Sequence, residues 1–259
     1  MAAAKGRERE KKRREELFLV VARDLLLEEG YHGITMARVA EITGFAKATV
    51  YKRFPCKEEL IVELGSRCRQ RWLSMVERAM QFEGRPRERM VAVGEAAEHY
   101  ARLYPDNLRV LEIIRTEAVL QKVSGELRTR MRAYNLRQLN ILVEIIREAI
   151  AQEDLVVSGK SAPQEIAFSL MAMVLGGYSA ILGQTPLAEA GIVDAFGGIA
   201  RGCHFLMDGC GWRPLSTEYD YDAVSLRVRK TIFAEEAERV YREQAAQKDL
   251  HPSARVQWS

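Results

Sequence analysis

Residues 17–60 constrain the fold more than any other part of the chain. Apolar residues recur there at helical spacing in short runs, and glycine-containing turns separate them. In the first run Leu17, Val20, Val21 and Leu25 repeat, Arg23, Asp24, Glu28 and Glu29 lie mostly between them, and Gly30 closes the helix. Thr35 is a natural N-cap, because its hydroxyl can accept from a free backbone N–H of the helix it starts. That second helix is expected from about Met36 to Thr43, with Val39, Ala40 and Ile42 inward. Gly44 permits a left-handed turn that residues with a Cβ disfavour, and Phe45 follows as a wedge. A third helix is expected from Ala46 or Lys47 to about Phe54, with Val50 and Phe54 inward, and Pro55 ends it. Cys-Lys-Glu-Glu from Cys56 then has the form of a capping box with Cys at the cap. Three short helices with a Gly turn between the second and third make a helix-turn-helix, whose third element enters the major groove of DNA.

The charge distribution agrees with a polyanion-binding head. The net charge of +3 is small, but residues 1–60 hold 13 Lys/Arg against 10 Asp/Glu, and subtracting these from the totals of 39 and 36 leaves 26 against 26. The whole excess therefore lies in the first quarter, where Lys and Arg gain affinity by releasing counterions from phosphate. Thr49 and Tyr51 offer hydroxyls and Lys57 a charge to phosphates, which set register without reading sequence. Lys47 and Lys52 can reach acceptors on guanine, and Ala48 is small enough to meet a thymine methyl.

The stretch LLLEEGYHGITMARVAEITGFAKATVYKRFPCKEEL resembles the N-terminal DNA-binding domain of the TetR/AcrR family of transcriptional regulators. Its Gly-Tyr turn, Thr cap, Ala40-to-Gly44 turn, Thr-x-Tyr, Phe and Lys-Glu-x-Leu stand at that family's spacing. The resemblance implies a homodimer, two heads on a palindromic operator in double-stranded DNA, and an effector pocket in the body. It places Lys47, Thr49, Tyr51, Lys52, Arg53 and Lys57 at DNA contacts, and Thr35 at the cap that presents helix two to a phosphate. Ala46 and Ala48 depart from the Ser and the Gly or Pro frequent in the family, so the base preference does not carry over.

The rest of the chain reads as helix, giving an all-α fold: a helix-turn-helix domain followed by a larger helical ligand-binding and dimerisation domain. Only seven Pro and long stretches without turn signals support this. The expected organisation is a basic, flexible arm (1–14), the DNA-binding domain (15–60), an effector and dimer body (61–210), and an extension with one helix and a disordered tail (211–259). Helices are expected at roughly 57–83, 87–104, 107–122, 125–153, 163–183, 187–209 and 221–247.

Polar or aromatic residues interrupting apolar faces are the effector candidates: His99, Tyr100, Tyr104, Arg115, Tyr134, Asn135 and Tyr178. Each also fits a plain structural role, since buried polar groups usually have ordinary partners. An apolar or aromatic small molecule is the preferred effector. Gly176, Gly177, Ala180 and Gly183, with Gly197 and Gly198, would let two helices approach closely, either across the family's dimer interface or within one chain.

No catalytic constellation stands out, and no metal or cofactor is expected. Ser158-Gly159-Lys160-Ser161 resembles the end of a phosphate-binding loop, but Asp154 stands where Gly is required. Four His show no cluster, and four Cys form no C-x-x-C pair, as expected of a reduced, cytoplasmic protein. The run IAFSLMAMVLGGYSAIL is shorter than a bilayer requires and reads as a buried helix, so no membrane partner is expected. The reading is a ligand-responsive repressor; the alternatives are a DNA-binding regulator without effector and, less well supported, a helical enzyme.

Overall fold

A computed structural model of the chain describes residues 2–115, 117–157, 162–183 and 185–250. Among these the fold is all-α. The phosphate-loop-like Ser158 to Ser161 and the tail beyond residue 250 lie outside the described residues.

The chain divides into two compact units, Met1–Arg71 with Asp106–Leu136, and Trp72–Pro105 with Arg137–Ser259. This differs from an expected boundary at residue 60, for a reason visible in the core. Helices α1 (Ala2–Gly33), α2 (Met36–Thr43), α3 (Lys47–Arg53) and the start of α4 (Lys57–Ala79) share one apolar cluster with α6 (Pro105–Ile114), α7 (Glu117–Leu120) and the first turns of α8 (Gly125–Ala151). Val110, Leu111, Ile114, Leu127 and Met131 join Phe18, Leu26, Val39, Val50 and Leu60 there. Removing so much apolar area from water at about 25 cal/mol per Å² makes these segments one stability unit.

Helix α1 begins at Ala2 and runs through the charged segment read as an arm, with a kink at Gly30, whose φ is 71°. Its buried stripe is Phe18, Leu19, Ala22, Leu25 and Leu26, while Leu17 and Val20 are exposed. The run LFLVVA is apolar on every side, so its own pattern allows several stripes, and packing onto the neighbouring helices selects one. Ile42 also departs from expectation: it is 54% exposed, because on so short a helix it lies over 100° around from the face that buries Met36, Val39 and Ala40.

The second unit contains α5 (Pro86–Leu103), the rest of α8, α9 (Pro163–Leu182), α10 (Ala195–Gly209), α11 (Tyr221–Thr231) and α12 (Ala234–Leu250). The helix expected over 187–209 begins only at Ala195, where Asp194 caps it by accepting from the Gly197 N–H at 2.9 Å. The single C-terminal helix expected over 221–247 is two, and both pack on α5. Ion pairs fasten them: Arg229 to Glu95 at 2.7 Å, Arg227 to Glu88 at 2.6 Å, and Arg78 to Glu236. The extension is thus part of this unit's core, burying Trp212, Tyr221, Val224, Val228 and Phe233.

Helix α9 corrects the expectation of a buried helix. It is long and apolar enough to cross a membrane, yet only 22% of its most apolar window is buried within the chain. Its packing partner is α10. A Cβ on Gly177 would meet Ile199 at 2.5 Å and one on Gly202 would meet the Met173 sulfur at 2.9 Å, so these two glycines serve a close crossing within the chain. Gly176 has nothing within 4 Å, and Gly198 has only the Arg201 guanidinium at that limit.

Candidate nucleic-acid interface

The head is assembled by short-range chemistry. Thr35 has extended backbone angles and its Oγ1 accepts from the Arg38 N–H at 3.2 Å, capping α2. Gly44 takes the left-handed conformation, φ 71° and ψ 14°, and its N–H and that of Phe45 close the helix on the Ala40 and Glu41 carbonyls. Phe45 then packs edge-on against Phe18 with ring centroids 5.5 Å apart. Together these contacts aim α3. Val50 and Phe54 are buried beneath it, so the opposite face must look outward.

That outward face carries Lys47, Ala48, Tyr51 and Lys52, all exposed. Tyr51 is 50% exposed, unusual for an aromatic residue in a small core-forming helix. Lys47 and Lys52 make no ion pair among the described residues. Thr49 is half-buried at the edge. Ala46 caps α3 with its backbone alone, accepting from the Thr49 N–H at 2.8 Å.

Arg53, expected at a DNA contact, and Lys57, expected at a phosphate, are engaged inside the head. The Arg53 Nε donates to Glu15 at 2.5 Å, and Glu15 also accepts from Arg67 at 2.8 Å. The Lys57 Nζ donates to the Tyr31 carbonyl at 3.0 Å and sits 3.9 Å from the centre of the Tyr31 ring. Half of the expected capping box is present: the Glu59 backbone N–H meets the Cys56 sulfur, whereas the Glu59 carboxylate accepts from the Ser124 N–H and the Cys56 thiol donates to the Lys122 carbonyl at 3.7 Å. Sequence spacing gave no sign of these long-range partners, because Glu15, Lys122 and Ser124 lie tens of residues away.

Two carboxylates in this unit are held charged. Burial pushes Glu15 up, but Arg53 and Arg67 together hold it below the ordinary carboxylate range. Burial likewise pushes Glu58 up, and the hydroxyl of Tyr31 at 2.5 Å and the ammonium of Lys122 at 3.3 Å hold it down. Both groups bind protons less readily folded than unfolded. Their stabilisation is therefore complete above the unfolded carboxylate value, near pH 4.3, and is lost as pH falls through the depressed folded value. Chemical denaturation of the wild type and Glu15→Gln should show a stability gap at about pH 6 that narrows progressively as pH falls below the ordinary carboxylate range. A gap that does not change as the carboxylates titrate would remove Glu15 as a contributor.

The seven effector candidates do not converge. His99, Tyr100 and Tyr178 are buried by ordinary packing in the second unit. His99 stacks on Phe233 and its Nδ1 lies 2.7 Å from the Glu95 carbonyl. Tyr100 packs between Trp72 and Tyr104, Tyr178 meets Phe196, and the Tyr104 hydroxyl accepts from Arg239 at 3.1 Å. Arg115, Tyr134 and Asn135 lie in the first unit. Arg115 and Asn135 line a basin of about 180 Å³ there, shared with Arg69, Arg128 and Arg132. Its floor is Leu111, Ile114, Leu120 and Met131.

A capped second helix, a glycine turn and a third helix presenting a free basic face define a helix-turn-helix protein. Residues 18–64 match the family model described as bacterial regulatory proteins, tetR family. It is 26% identical over 128 residues to the fatty acid metabolism regulator protein of Bacillus subtilis (strain 168), a match spanning 49% of this chain and 63% of that relative's length. Its fold is similar to a bacterial regulatory protein in the tetR family from Rhodococcus RHA1, with TM-score 0.60, 14% identity, and coverage of 77% of this chain and 97% of that one. It is also similar to the TetR family transcriptional regulator PfmR from Thermus thermophilus, with TM-score 0.58, 19% identity, and coverage of 74% of this chain and 97% of that one.

Proposed function

We propose that the chain is a DNA-binding transcriptional regulator that occupies a palindromic operator as a homodimer and represses until a small molecule releases it. The observation that carries this reading is the face of α3: Lys47, Ala48, Tyr51 and Lys52 are exposed and make no ion pair among the described residues, on a helix anchored by Val50 and Phe54. Cationic and hydroxyl groups on a rigid, groove-sized helix suit base edges and phosphates.

The apolar surface left open on α9 and α10 supports the dimer. Phe168 is 60% exposed and Phe205 70%, and Gly176 and Gly198 have open space beside them. Large exposed apolar side chains of this kind suit a protein interface. Two copies related by a twofold axis would place two α3 helices on successive major-groove faces, about 34–36 Å apart. An effector acts by stabilising a head spacing that no longer matches. Such a protein works where the chromosome is, in the bacterial cytoplasm.

Selection of bound duplexes from a random pool at a fixed salt concentration tests this. The expected product is an inverted repeat with half-sites about one helical turn apart. Recovery of no motif, with binding that vanishes as salt rises, would reduce the head to nonspecific phosphate attraction.

A further inference from the structure

The basin of the first unit is lined, among the described residues, by four arginines and no carboxylate. Arg132 makes no ion pair among those residues, and Arg115 has only Glu112, at 3.1 Å on the surface. Beneath them Leu111, Ile114, Leu120 and Met131 form an apolar floor. Guanidinium groups over an apolar floor suit a small molecule with an anionic oxyacid group at one end and a hydrocarbon portion at the other.

One lining residue has a second task. The Arg128 Nη2 donates to the Val123 carbonyl at 3.0 Å and reaches that of Gln121 at 3.5 Å, clasping the turn that carries Lys122. Lys122 pairs with Glu58 at 3.3 Å, the same Glu58 oxygen accepts from the Tyr31 hydroxyl at 2.5 Å, and the Tyr31 carbonyl accepts from Lys57. Basin and head are thereby joined inside one unit by polar contacts linked through the backbone of residues 121–123 and through Tyr31.

We propose that the basin binds a small amphipathic anion, which takes Arg128 away from the 121–123 turn and so loosens the Lys122–Glu58–Tyr31–Lys57 chain that steadies the DNA-binding head. The proposal rests on the reading that DNA affinity responds to a ligand. Coupling through contacts of this kind requires that each link have an alternative partner, and the anion supplies it to Arg128.

Calorimetry on the full chain without DNA tests binding, using benzoate, phenyl phosphate and benzyl alcohol as probes of one shape and different charge. Benzoate or phenyl phosphate should bind, whichever is tighter marking a carboxylate or a phosphate as the natural group, and Arg132→Gln should weaken that anion at least about tenfold. Binding of benzyl alcohol as tight as either anion, or no anion binding, overturns the proposal. On the selected duplex, the saturating anion should lower affinity at least about fivefold. Lys122→Gln, at an exposed position, should keep anion binding and lose this response; an undiminished response overturns the route. Failure to select any duplex motif would instead sink the regulator reading, and calorimetry would still decide the basin.

Discussion

Replacing Lys47 and Lys52 together by Ala is expected to lower affinity for the selected operator at least about a hundredfold, since each good base-edge contact is worth about 1–3 kcal/mol. Both side chains leave α3 on its exposed face and neither is tied to a carboxylate among the described residues, so their loss disturbs no internal partner. The apolar anchors Val50 and Phe54 stay in place, and the folded head should be unchanged by circular dichroism. Titrations at several salt concentrations separate the two roles of a lysine. A base contact relaxes sequence preference, whereas a phosphate contact reduces the salt slope by about one per site and leaves preference intact. Affinity and slope equal to those of the wild type would mean that α3 is not the reading helix.

Arg87→Ala should cost about 3–5 kcal/mol of the stability of the second unit, the range for removing one partner of a buried charge pair. Arg87 is fully buried near the start of α5. Its guanidinium donates to the Trp212 carbonyl, to the Pro214 carbonyl at 2.8 Å and to Asp208 at 2.6 Å, and lies over the Tyr221 ring at 4.8 Å. Asp208 has further donors in the Ser216 amide and hydroxyl; although burial pushes its carboxyl up, these and Arg87 hold it below the usual value. Without the guanidinium the buried Trp212 carbonyl and the partly buried Pro214 carbonyl lose this donor, and Asp208, whose side chain is 22% exposed, keeps only its Ser216 donors. Met in place of Ala restores volume but no donor, so it should recover little. The measurement is the thermal midpoint, expected to fall by about 10 °C. A shift under about 2 °C would show that the extension is held by its apolar contacts alone.

Much of the head was legible because its determinants act over a few residues. A Thr hydroxyl four residues from a helical valine, a glycine where α2 must end in a left-handed turn and a proline after Phe54 specify caps and stops without reference to the rest of the chain. Lys47, Ala48, Tyr51 and Lys52 followed, since burying Val50 leaves them no other side to occupy. The body was legible only as helices. Its aromatic and polar residues look alike in sequence whether they line a cavity or fill a core; His99, Tyr100 and Tyr178 fill one, and Arg115 and Asn135 border a basin whose other arginines have no distinguishing neighbours in sequence. Close and open glycines on α9 and α10 were equally indistinct until Ile199 and Met173 were seen against two of them.

The amino-acid sequence by itself determined the helical class, the helix-turn-helix and its exposed basic face, because helix periodicity, capping and glycine stereochemistry are local. Tertiary structure alone decided which cations are free and which are spent. Arg53 meets Glu15, Lys57 meets Tyr31, and Arg87 reaches a carbonyl 125 residues away, pairings that exist only once distant helices pack. Long side chains have many possible partners and choose among them by proximity, and proximity is a property of the folded chain.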